Sequence, residues 1–154
     1  MAAINYGRVL LGGLVGGAIA NIGDFIVNSM VMADDMVRMA QRLNLNQAVM
    51  ASPAVGMTWV VVDFVYATLI VWTYAAIRPR FGPGPGTAIK SGMVLWAAVC
   101  SVLFGFQSMG IFTRDSFFKS AVLSLATTIL AALAGAWIYR ENESRNSLSH
   151  QQGQ

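Results

Sequence analysis

Two aspartates sit where a chain this apolar has little room for charge: Asp24, in the apolar run from Gly7 to Met32, and Asp63, in the run from Pro53 to Ile77. An aspartate in hydrocarbon costs about 3 kcal/mol on insertion scales, which makes each a functional candidate. At about 1.5 Å of helical rise per residue, Asp24 falls about 12 Å inside the outer end of its run and Asp63 about 15 Å inside its own. Two carboxylates at one depth in low dielectric cannot both be ionised cheaply, so the pair is expected to share one proton or hold a bound cation. Asn21 and Asn28 lie on the helical face of Asp24, while Trp59 and Tyr66 lie on that of Asp63. These six residues are the expected lining of a proton, cation or small-solute pocket. A structural reading stands beside this one: protonated Asp24 and Asp63 hydrogen-bond to Asn21, Asn28 or Tyr66 and lock helix packing, at about 0.6 kcal/mol per bond.

Other chemistry is thinly represented. Cys100 is the only cysteine and His150 the only histidine, far from each other in sequence. An internal disulfide, a thiolate zinc cluster and a serine nucleophile with a histidine base are therefore ruled out. Paired acids also serve intramembrane aspartyl proteases, but Asn21-Ile22-Gly23-Asp24 lacks the first glycine of the Gly-x-Gly-Asp pattern. Seven of the nine methionines, Met30, Met32, Met36, Met39, Met50, Met57 and Met109, gather towards one predicted face. They suit a soft metal, yet the same spacing fits the apolar side of an interfacial helix, and methionine commonly fills irregular gaps. No metal, no cofactor and no catalytic activity are expected.

The elements that must position the acids follow from composition. Of 154 residues, 56% are hydrophobic and 11% charged, a balance for which a membrane is the natural solvent. The net charge of +3 comes from basic residues scattered at the ends of apolar runs, an anchoring pattern that argues against nucleic acid. Four runs have spanning length: residues 7–32, 53–77, 88–112 and 116–139. Arg8 followed by an apolar run and Ala18-Ile19-Ala20 imitates a secretory signal, but the run continues to Met32, too long for one. The spans must be helices, because lipid offers backbone groups no partner and the runs lack the alternation of barrel strands. The expected fold is all-α: an integral membrane four-helix bundle, residues 1–140, with a short interfacial helix after the first span and a disordered polar tail, residues 141–154.

Local signals refine this. Ser52-Pro53 reads as an N-cap and first helical position, and Thr87 and Asp115 are expected to cap the third and fourth spans. Residues 34–43 place Met36, Met39, Ala40 and Leu43 at helical spacing, an interfacial helix that Asn44-Leu45-Asn46 should end. Residues 78–86, rich in Pro and Gly, are expected to form a short stiff loop without regular structure. Arg8, Arg78, Arg80, Lys90, Arg140 and Arg145 fall on one side of the membrane, against Arg38, Arg42, Arg114 and Lys119 on the other, so both termini are expected in the cytoplasm. Gly13 and Gly17 continue the face of Asn21 and Asp24, and Ala131 and Gly135 form a matching small-residue face on the fourth span. Those two faces are expected to meet, because small residues let helix backbones approach closely.

The segment Tyr74-Ala75-Ala76-Ile77-Arg78-Pro79-Arg80-Phe81-Gly82-Pro83-Gly84-Pro85-Gly86-Thr87-Ala88, with Gly7-Arg8-Val9-Leu10 and Ala134-Gly135-Ala136-Trp137-Ile138-Tyr139-Arg140, resembles a family of uncharacterised small bacterial membrane proteins. The resemblance implies four spans and a bacterial inner membrane, and it supplies no activity. Small multidrug exporters share the size and an acid in the first span, but their motifs are absent. The expected partners are the lipid bilayer and a second copy of the chain or a larger membrane complex, no nucleic acid among them. A structural or assembly subunit of such a complex is the competing functional reading.

Overall fold

Helix boundaries are set by recognisable chemistry at each end. In the computed structural model, which describes residues 4–139, the chain is helical with no strand among those residues. Asn5 caps α1 (Tyr6–Ile26) by accepting from the Arg8 N–H, and the helix continues as a π-helical turn, Val27–Val31. The amphipathic α2 (Ala33–Arg42) and the single turn α3 (Gln47–Met50) follow, then α4 (Pro53–Phe81), α5 (Pro85–Ser108) and α6 (Arg114–Ile138). The π-extended α1, α4, α5 and α6 are each long and apolar enough to cross a membrane, and this is a multi-pass membrane protein. The tail expected over residues 141–154 lies outside the described residues.

Several sequence expectations hold and several need correction. Ser52 does cap α4, with Pro53 in the first turn. Asn44, at φ 51°, ends α2 in the left-handed region, where Asn44 and Leu45 N–H groups return to Gln41 and Ala40 carbonyls. Residues 78–86 are not all loop: α4 runs through Pro79 to Phe81, α5 begins at Pro85, and only residues 82–84 lie between. Pro79 is tolerated near a helix end, where losing one N–H costs least, and Gly82 at φ 79° closes the helix by donating to the Arg78 carbonyl. Thr87 does not cap the third span. Gly84 precedes that helix, and the Thr87 hydroxyl donates back to the Gly82 carbonyl at 2.8 Å. Thr113, not Asp115, caps α6 by accepting from the Ser116 N–H at 3.1 Å. The third span stops at Ser108 and does not reach Phe112, because Gly110 at φ 79° completes a Schellman turn with Ile111 N–H on the Phe106 carbonyl.

Packing is inverted relative to a water-soluble protein. Ala67, Ile70, Val71, Ala88, Ser91, Ala131 and Ala132 are almost wholly inaccessible, whereas Phe25, Trp59, Phe118 and Trp137 face outward. Small residues dominate the interior because apolar bulk gains nothing by leaving lipid, while close backbone approach gains van der Waals contact. Both α1 and α5 pack against α4 and α6, which also touch each other.

The glycines of α1 serve two neighbours. A Cβ on Gly12 would lie 2.6 Å from the Gly135 carbonyl oxygen, and one on Gly16 would lie 2.9 Å from that of Ala131. Gly13 and Gly17 do not meet Ala131 and Gly135 as expected; they abut Thr68 and Phe64 of α4. A helical step of one residue turns the face by about 100°, so the pair Gly12/Gly16 addresses α6 while Gly13/Gly17 addresses α4.

Candidate functional site

The two carboxyls meet. Asp24 on α1 and Asp63 on α4 come close enough for each carboxyl to act directly on the other. Asp63 is 8% exposed and Asp24 half-buried. Two carboxyls this close in low dielectric are not both ionised cheaply, and a proton held between them lowers that cost. Glycine makes the meeting possible: Gly17 and Gly13, about two and three turns earlier, let α1 approach Phe64 and Thr68 closely on the way to the acids.

The remaining predicted lining residues divide. Tyr66 lies near enough to feel the Asp24 charge, and its hydroxyl hydrogen-bonds to the Thr128 hydroxyl of α6 at 3.2 Å. Asn21 donates from Nδ2 to the Gly17 carbonyl at 2.9 Å and to the Val60 carbonyl of α4 at 3.4 Å, so it ties the two helices beside the acids. Asn28 and Trp59 do not belong to the site. Asn28 is exposed and turns back to donate to the Asp24 carbonyl oxygen at 2.8 Å, and Trp59 is 64% exposed. The reason is that α1 parts from α4 just past the acids: Phe25, Ile26, Met30 and Val31 are all exposed. The pair thus forms the last packed layer of the α1–α4 seam, about 11 Å from the end of the π-extended α1.

Thr128 is a site member that sequence reasoning missed. It lies beside Thr127, whose side chain covers Gly23 instead. The small-residue face of Ala131 and Gly135 was the available signal, but periodicity alone does not separate adjacent positions at a three-helix junction.

A second polar cluster lies where the spans end. Asp35 of α2 accepts from Arg38 at 2.6 Å and faces Lys119 at 3.6 Å, and Lys119 also binds Asp115 at 2.6 Å. The Arg38 guanidinium, hydrogen-bonded to Asp35, holds that carboxyl below the usual carboxylate range, with Lys119 adding to the effect. Arg42 donates to the Ile111 carbonyl at 2.6 Å, joining α2 to the α5–α6 turn. Between them opens a cleft of about 420 Å³. Among the described residues, no group of three or more His, Cys, Asp or Glu side chains stands close enough together to hold a metal ion.

Comparison with family models, curated protein sequences and solved structures finds no match for this chain.

Proposed function

We propose that this membrane protein binds and releases a proton or small cation at Asp24 and Asp63, and that it does so without catalysing a covalent reaction. The observation that carries this reading is the contact between two carboxyls from different helices at the last packed layer of a seam. A proton between them is held in place of a second charge, and a monovalent cation of suitable size would satisfy the same two groups once that proton leaves. Tyr66 and Asn21 are the flanking groups, one fixed through Thr128 and the other through Val60. The resemblance noted above and the basic residues near the chain termini support a bacterial inner membrane with both ends in the cytoplasm.

The test is coupled titration in liposomes, followed by infrared spectroscopy of the carboxyl groups. Replacing Asp63 by Asn should displace the titration midpoint of Asp24, and Asp24→Asn should do the same to Asp63. Proteoliposomes loaded with a pH-sensitive dye should exchange protons faster than empty ones, and either variant should remove the difference. Independent titration of the two groups, with unchanged exchange, would overturn the shared site.

A structural subunit is the second reading. It is favoured by the way Asn21, Tyr66 and Thr128 bridge α1, α4 and α6 around the acids, an arrangement that also serves as packing. It predicts that Asn variants at both positions preserve fold and assembly while neither titration answers to the other.

A further inference from the structure

The cleft beneath α2 combines features that the carboxylate pair does not use. Its lining is mixed: Met32, Met36 and Met39 with Ile111 and Phe112 supply apolar surface, and Arg38 and Arg42 share the rest with Asp35 and Asp115. It lies where spans end, between an amphipathic helix and the turn joining α5 to α6. That is the level of lipid headgroups.

The charges around it are unevenly committed. Asp35 and Asp115 are both engaged, the first by Arg38 and Lys119 and the second by Lys119. Asp34 and Asp115 also act on Arg38 from a distance. Arg42 has a different partner: its recorded bond goes to a neutral carbonyl, that of Ile111, through one nitrogen of the guanidinium. A guanidinium has five N–H donors arranged as a fork that matches phosphate oxygens. Arg38, with its side chain 64% exposed, has donors beyond those that hold Asp35.

We propose that this cleft binds the phosphate headgroup of an anionic phospholipid, with Arg42 and Arg38 on the phosphate and the methionine wall against the first carbons of the acyl chains. A volume of about 420 Å³ is in the range of small-ligand pockets and admits a headgroup with its glycerol, leaving the chains to run down into the bilayer. The methionines suit such an occupant because unbranched thioethers adapt to mobile chains. A soft cation, which the sulfurs alone would suit, finds the two lining carboxylates already held by Arg38 and Lys119.

The test uses the full chain, purified in maltoside detergent and stripped of lipid, with thermal unfolding followed during titration. Phosphatidylglycerol should raise the melting temperature and bind about tenfold more tightly than phosphatidylcholine, and inorganic phosphate alone should leave the melting temperature unchanged. Arg42→Gln keeps a donor for the Ile111 carbonyl but removes the charge, and it should abolish the preference for phosphatidylglycerol. Equal effects of the two lipids, or an undiminished preference in Arg42→Gln, would overturn the proposal, and a shift reproduced by phosphate alone would replace the lipid with a soluble anion. A measurement on the unaltered protein covers the case in which the variant does not fold: modification of Arg42 by phenylglyoxal, mapped by mass spectrometry, should be slowed by phosphatidylglycerol and not by phosphatidylcholine. Equal modification in both lipids would also reject the site.

Discussion

At the scale of single residues, what decides behaviour is whether a polar group buried in the membrane keeps its partner. Asp63→Asn retains a donor towards Asp24, so its thermal stability in detergent should fall by about 1 kcal/mol or less. Asp63→Leu leaves the Asp24 carboxyl facing apolar surface and should lose about 1–3 kcal/mol, the cost of an unsatisfied buried group. Equal losses would mean that the bond contributes nothing to packing. Asp35 makes a prediction with a definite sign. Its carboxyl is held below the ordinary value by Arg38, so its contribution is fully present above the unfolded value, about 3.9 for Asp, and is lost as pH falls through the lower folded value. Protection factors of α2 amides should therefore be steady from neutral pH down to about pH 4 and fall below it, whereas Asp35→Asn should start less protected and vary less with acid. The two intramembrane acids were legible in the sequence because charge in an apolar run is conspicuous. Asn28 and Trp59 were misassigned because helical periodicity assumes that a helix keeps its neighbour along its whole length, and α1 leaves α4 just past Asp24.

At the scale of elements, the same glycines show how finely a helix face must be read. Gly12→Ala would press a methyl to 2.6 Å from the Gly135 carbonyl, a backbone atom that cannot swing away, and should destabilise the bundle by about 1–3 kcal/mol. Gly105→Ala meets nothing within 4 Å and should be neutral or slightly stabilising. Detergent melting curves of the two variants compare them directly, and equal tolerance would remove close α1–α6 contact from the account. Spanning length made the four long helices legible, and cap chemistry made Ser52 and Asn44 so. The π-helical turn Val27–Val31 carried no such mark. Its physical origin is local: Asn28 and Ser29 donate side-chain hydrogen bonds to the Asp24 and Phe25 carbonyls, competing with the backbone ladder where it changes from a step of four to a step of five. The Pro and Gly of residues 78–86 misled for the opposite reason, since a proline near a helix end costs little and the breakers at Gly82 and Gly84 suffice to turn the chain.

For the whole molecule, the contacts between ends of helices determine which segments share a side of the membrane. Arg42 on Ile111 places α2 and the α5–α6 turn together, while the Asn5 N–H on the Tyr139 hydroxyl, the Tyr74–Tyr139 ring contact and the Gly84 N–H on the Tyr74 hydroxyl gather Asn5, Tyr139 and the α4–α5 turn at the opposite end. Charge divides along the same line. Near that end stand Arg8, Arg78, Arg80 and Lys90, and Arg78 and Lys90 lie over the rings of Tyr139 and Phe81. At the α2 end Arg38, Arg42, Arg114 and Lys119 are accompanied by Asp34, Asp35 and Asp115. Orientation follows Lys and Arg near span ends and short loops, and the α4–α5 turn, residues 82–84, is the shortest connection between two spans. Reporter fusions after Gly86 and after Gln154 should therefore both report cytoplasm, and a fusion at Asn46 should report the outside. Moving the bias should move the protein: replacing Arg78 and Arg80 by Gln and adding two lysines beside Asn46 should give a mixed or inverted population. A cytoplasmic signal from Asn46 in the unaltered chain, with an outside signal after Gly86, would reverse the orientation and place the Asp24–Asp63 layer nearer the cytoplasm, where any proton it releases would enter the cell instead of leaving it.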